Sequence, residues 1–127
     1  QLEVGSAASD FEFLPVDVNF DRCRRYYESF AYNEEMYWVG VGIADTNTDI
    51  RTVLTYYPKR ADPSASFSGT LRVDPGARTT TSMLFDAMRT RSGLFYYNSL
   101  SASGSAKEGY AMYLNASGSK IELNSEL

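Results

Sequence analysis

Histidine does not occur anywhere in the 127 residues, and that absence removes whole classes of chemistry. There is no Ser-His-Asp triad, no Cys-His pair, no H-E-x-x-H zinc site and no imidazole general base. Cysteine occurs once, at Cys23, so no internal disulfide forms and cysteine usage says little about redox compartment. The nine glycines are scattered, and none falls in the G-x-x-x-x-G-K pattern that cradles phosphate. No run of 18 apolar residues is present and no charged-then-apolar leader opens the chain, so neither a membrane-spanning helix nor a signal peptide is expected. The opening Gln1-Leu2-Glu3 lacks an initiator methionine, as expected of a piece of a longer chain.

What is present suits a packed domain. Hydrophobic residues make up 43% and aromatics 14%, ample for a core, and a chain of this length buries roughly two-thirds of its unfolded surface. A net charge of −4 argues against general nucleic-acid binding, which needs a basic face to displace counterions. The charge is unevenly spread. Residues 1–50 hold ten acids and three arginines, whereas residues 51–100 hold three acids and seven bases, a basic island in an acidic chain.

Residues 1–18 carry small residues, a proline and no clear period. They read as an extended arm anchored by Phe11, Phe13 and Leu14, with the domain proper over 19–127. The stretch "NFDRCRRYYESF" predicts a short helix capped by Asn19. Phe20, Cys23, Tyr26, Tyr27 and Phe30 share one side at helical spacing, while Asp21–Arg25 and Arg24–Glu28 stand at i,i+4 spacing on the other. Beyond Asn33 the texture becomes strand. "MYWVGVGIA" (36–44), "IRTVLTYY" (50–57), "SASFSGTLRV" (64–73), "LFYYNSLSA" (94–102), "GYAMYLN" (109–115) and "KIELNS" (120–125) are β-branched and aromatic runs parted by turn residues. "TSMLFDAM" (81–88) reads as either strand or helical turn. Gly40 and Gly42 stand on one strand face, where another backbone can approach. Six or seven short strands at this spacing predict a mainly β fold, an antiparallel β-sandwich of jelly-roll-like type with one short N-terminal helix.

Several features weigh against the obvious sites. "DTNTD" places oxygens at Asp45, Asn47 and Asp49 as a calcium loop begins, but the sixth and twelfth places hold Ile50 and Tyr56 instead of glycine and glutamate. A polar hairpin turn is expected there, and no metal. Glu34 and Glu35 are adjacent, so on a strand they point to opposite faces and cannot flank a sugar as glycosidase carboxylates do. Three tyrosine pairs, Tyr26-Tyr27, Tyr56-Tyr57 and Tyr96-Tyr97, each send one ring inward and one outward if on strands. These rings, with Tyr37 and Trp38, are either core or subunit interface, or a platform on which a sugar ring stacks. Lys59, Arg60, Arg72, Arg78, Arg89 and Arg91 form either a solvated face or a rim that attracts an anionic polymer.

Three stretches carry a family resemblance. "QLEVGSAASDFEF", followed closely by "RCRRYYESF", resembles a junction in bacteriophage tail fibre and tailspike proteins, where it closes an upstream module and opens the C-terminal receptor-binding domain. "YYPKRADPSASFSG" (56–69) looks like that family's strand, short link, Ala-x-Pro and following strand. "EGYAMYLNASGSKIELNSEL" (108–127) looks like its ending. Together they cover about half of the chain. The resemblance implies a compact β-sandwich at a fibre tip in the virion, extracellular, assembled as a homotrimer, recognising a host cell-surface glycan or protein, with no cofactor and no catalytic activity. Exposure logic then selects Trp38, Tyr56, Tyr57, Lys59, Arg60, Arg89, Arg91, Tyr96 and Tyr97 as ligand-binding residues. Two other readings stand beside it. One is a trimerisation or folding cap that closes a fibre without touching receptor, and the other is a small polysaccharide-degrading enzyme.

Overall fold

The computed structural model describes residues 14–34, 37–46, 48–97 and 107–126, with residues 96 and 97 placed by backbone alone. Among them the chain forms one helix, α1 (Val16–Arg24), and ten strands. In order these are β1 (Tyr27–Ala31), β2 (Tyr37–Ala44), β3 (Ile50–Thr55), β4 (Ser64–Ser68) and β5 (Leu71–Asp74). They continue as β6 (Arg78–Thr80), β7 (Leu84–Asp86), β8 (Ser92–Tyr97), β9 (Gly109–Leu114) and β10 (Lys120–Asn124). A three-stranded sheet runs β1-β10-β4 and a seven-stranded sheet runs β6-β5-β9-β2-β3-β8-β7. All pairings are antiparallel. The expected mainly β sandwich with a short N-terminal helix is the observed architecture.

The two sheets enclose one core. Ile121 and Leu123 project from β10 against Leu71, Val73, Met112, Leu114, Ile50, Leu54 and Phe95 of the larger sheet. Period-two burial makes this possible, as in β3, where Ile50, Thr52 and Leu54 are buried and Arg51, Val53 and Thr55 are exposed. Aromatic side chains close the margins, with Phe85 tilted on Phe95 at 6.0 Å and Phe30 on Tyr37 at 5.8 Å.

The helix differs from the sequence reading. It starts three residues earlier than Asn19 and ends before the tyrosines, because Pro15 at its cap presets the backbone while Tyr26 and Tyr27 enter a turn and then a strand. Asn19 lies inside it, its side-chain amide donating back to the Leu14 carbonyl at 3.3 Å instead of capping. Residues 27–31 pair along their whole length with β10, so tertiary pairing overrides the helical spacing of Tyr27 and Phe30. The Arg24–Glu28 pair forms nonetheless, at 2.5 Å, across the helix–strand junction. Phe11 and Phe13 lie outside the described residues.

The run 64–73, expected as one strand, is two strands in different sheets. The break falls at Gly69, whose φ of 93° is left-handed and whose absent side chain leaves room for Ser119. A Cβ there would stand 2.5 Å from the Ser119 Cα. Ser119 is fully buried, accepts from the Thr70 amide through Oγ at 2.8 Å, and accepts from the Tyr32 amide through its carbonyl at 2.9 Å. The crossing between sheets is thus fixed by one glycine against one serine. The ambiguous 81–88 stretch contains a strand, β7.

Candidate functional site

The sequence-selected residues separate into distinct environments. Tyr56 is buried, its hydroxyl donating to the Arg89 carbonyl, so it is a core ring and not an outward platform. Lys59 is likewise buried, with no exposed side-chain area, and its ammonium lies 2.8 Å from Glu28 Oε2 and 2.5 Å from the Arg24 carbonyl. Glu28 also accepts from the Tyr57 amide at 3.1 Å and from Arg24. Burial pushes the Glu28 carboxyl up, but the hydrogen bonds from Lys59 and Arg24 outweigh it and hold the group below its usual range. Arg24 also lies over the Tyr57 ring at 4.6 Å, and Arg60 over Tyr26 at 5.7 Å. These contacts bind "RCRRYYESF" to "YYPKR". The two motifs clamp onto each other, and burial removes Tyr56 and Lys59 from the ligand set, while Tyr57 is half-buried and Arg60 exposed.

Arg89 and Arg91 are exposed, with Arg89 3.3 Å from Asp62. Tyr96 and Tyr97 lie on β8, where the backbone pairs them with Arg51 and Ile50; their side chains lie outside the described residues. In the "DTNTD" turn, the Asp45 and Thr46 amides donate to the Asp49 carbonyl, Thr46 Oγ1 donates to Asp49 Oδ2 at 2.9 Å, and Asp45 pairs with Arg51 at 2.9 Å. Asn47 lies outside the described residues. The basic island is dispersed: Lys59 is interior, Arg72 pairs with Asp74, and Arg78 covers the Tyr110 ring at 5.1 Å.

Trp38 stands apart from the others. It is 60% exposed on the outer face of the seven-stranded sheet. A β-bulge follows it, where the register with β9 shifts between Trp38 and Gly40. The extra residue resets the alternation, so Val39 and Gly42 point inward while Trp38, Val41 and Ile43 all point outward. Gly40 and Gly42 are therefore not equivalent. Gly42 is the close-approach position, since a Cβ there would stand 2.6 Å from the Arg51 carbonyl.

The register places Trp38, Tyr113 and Arg72 in one row across β2, β9 and β5. Trp38 tilts over the Tyr113 ring at 5.3 Å, and the Arg72 guanidinium covers the same ring at 5.6 Å. Tyr113 is only 3% exposed and donates its hydroxyl to Asp74 Oδ2. That hydrogen bond holds the Asp74 carboxyl below its usual range against desolvation, aided by the Ala77 amide and Arg72. Burial and the bond to Asp74 push the Tyr113 hydroxyl up. The Arg72–Asp74 contact is long, 3.5 Å, and the Arg72 side chain is 36% exposed, so its guanidinium keeps donors that reach solvent. The Tyr113 ring thus links an exposed indole on one flank to a fixed carboxylate and a guanidinium on the other, a flat apolar face and planar polar groups one strand apart. Sequence reasoning found Trp38 and weighed Arg72, but passed over Tyr113 and Asp74. The signal for them is the cross-strand register, which no local pattern reveals.

Comparison with family models, with curated proteins and with solved structures finds no match to this chain.

Proposed function

We propose that the protein is the receptor-binding tip domain of a phage tail fibre, working on the virion as a homotrimer that recognises a host cell-surface polysaccharide. The tail-fibre resemblance of "QLEVGSAASDFEF", "RCRRYYESF" and the two later stretches supplies the class. The Trp38–Tyr113–Arg72–Asp74 row is the observation that carries the ligand. A pyranose ring lays its C–H face on the indole, and its hydroxyls donate to Asp74 and accept from Arg72. One such shallow contact is weak, and three copies on one tip raise avidity through effective concentration. The domain acts by binding, with no catalytic group and no cofactor.

Trp38→Ala should lower binding to host surface glycan at least tenfold on a glycan array or on intact cells, while far-UV circular dichroism stays unchanged. Arg72→Ala should act in the same direction. Undiminished binding by both variants would sink the assignment of the site. The alternative of a non-binding fibre cap draws support from one observation, the aliphatic outer surface beside Trp38. A wild-type domain that retains no glycan on the array favours the cap.

A further inference from the structure

We propose that the aliphatic outer face of the seven-stranded sheet is where copies of this chain meet one another. The inference rests on the oligomeric tip reading above and names its interface. An antiparallel sheet with one face in water ordinarily alternates apolar and polar residues, whereas strands covered on both sides are apolar throughout. β2 is of the second kind, yet within one copy Val41 is 72% and Ile43 63% exposed, and Val53 of β3 is 57% exposed.

Their arrangement is contiguous. Val41 pairs with Ala111 of β9, and Val53 pairs with Leu94 of β8. Gly42 faces Thr52 in the β2–β3 register, so one further step sets Val41 beside Val53. Ala111, Val41, Val53 and Leu94 thus form a row across four neighbouring strands, with Ile43 flanking it. Val41, Ile43, Val53 and Leu94 line an open depression of about 320 Å³. Contiguous exposed aliphatic side chains of this kind suit an interaction surface.

The chemistry selects the occupant. Branched aliphatic side chains offer no ring faces or planar hydrogen-bonding groups, so a sugar gains little here, in contrast to the neighbouring Trp38 row. Anionic lipid surfaces are recognised by clustered lysine and arginine, but this margin carries both signs. Arg51 with Asp45 lies on one side, and the exposed Asp86, opposite Leu94, on the other. A second copy presents the same apolar centre and the same mixed margin, so Arg51 of one copy meets Asp86 of the next. Turned toward a three-fold axis, such a face touches both symmetry mates.

Wild-type, Val41→Asp and Val53→Lys proteins are to be compared by light scattering. Both positions are exposed, so each variant should keep the wild-type circular dichroism. The expected result is a trimeric wild type and variants whose association weakens at least a hundredfold, to monomer at micromolar concentration. An independent test uses Val53→Cys in a Cys23→Ser background, which should form inter-copy disulfides under copper–phenanthroline oxidation. Variants that keep the trimeric mass, with no cross-link, overturn this interface and leave the trimeric tip reading standing. A monomeric wild type overturns both. Variants that remain trimeric but lose glycan assign the face to the receptor and reject the proposal.

Discussion

A lysine ammonium with no exposed side-chain area needs full compensation, and Lys59 finds it in the Glu28 carboxylate and the Arg24 carbonyl. Removing one partner of such a pair leaves the other charge buried and uncompensated. Lys59→Met is therefore expected to destabilise the domain by about 3 kcal/mol, read as a shift of the urea midpoint at constant slope. Arg24 remains on Glu28 in that variant, which keeps the loss at the lower end of the range for broken buried pairs. The double variant Glu28→Gln, Lys59→Met should recover part of it. In the sequence Lys59 looked like a ligand residue because lysine is usually at the surface. Its partner Glu28 lies 31 residues away in the chain, and nothing local marks it. Trp38 is the opposite case: the sequence left it between core, interface and platform, and it is exposed.

At the level of elements, the strands were legible wherever β-branched and aromatic runs were parted by turn residues. β2, β3, β9 and β10 lie within one or two residues of the runs that predict them. Three features were hidden. β1 was masked by helical spacing, the 64–73 run concealed a change of sheet, and the bulge after Trp38 moved Val41 and Ile43 to the outer face. Each is decided by a partner distant in sequence, β10 for the first, Ser119 for the second and β9 for the third. Gly69 tests the second directly. Gly69→Ala adds a left-handed backbone cost to a clash with the Ser119 backbone, which cannot swing aside as a side-chain tip would. A loss of about 2–4 kcal/mol is expected, with a thermal midpoint lowered by some 10 °C or more. Wild-type stability in this variant would mean that the crossing is not fixed here.

For the molecule as a whole, charge and topology set different limits. Glu28 is ionised in the folded state at pH values where an ordinary carboxylate begins to take up a proton. Its contribution is complete above its usual 4.5 and is lost as pH falls through the depressed folded value. Acid should therefore destabilise the wild type more steeply below pH 4.5 than it destabilises Glu28→Gln, as followed by fluorescence during an acid titration. A parallel decline in the two proteins would show that Glu28 is not the linked group. The small sheet adds a constraint of another kind. Its middle strand is β10, and β1 and β4 are each hydrogen-bonded to it. During synthesis those two strands emerge long before β10 does, so the three-stranded sheet cannot close until β10 has left the ribosome. A chain cut short before Lys120 lacks a centre rather than an edge, and it presents two open strand edges in place of a finished surface. Closure of the fold thereby reports that the β10 segment has been made, because nothing earlier in the small sheet can take its central place.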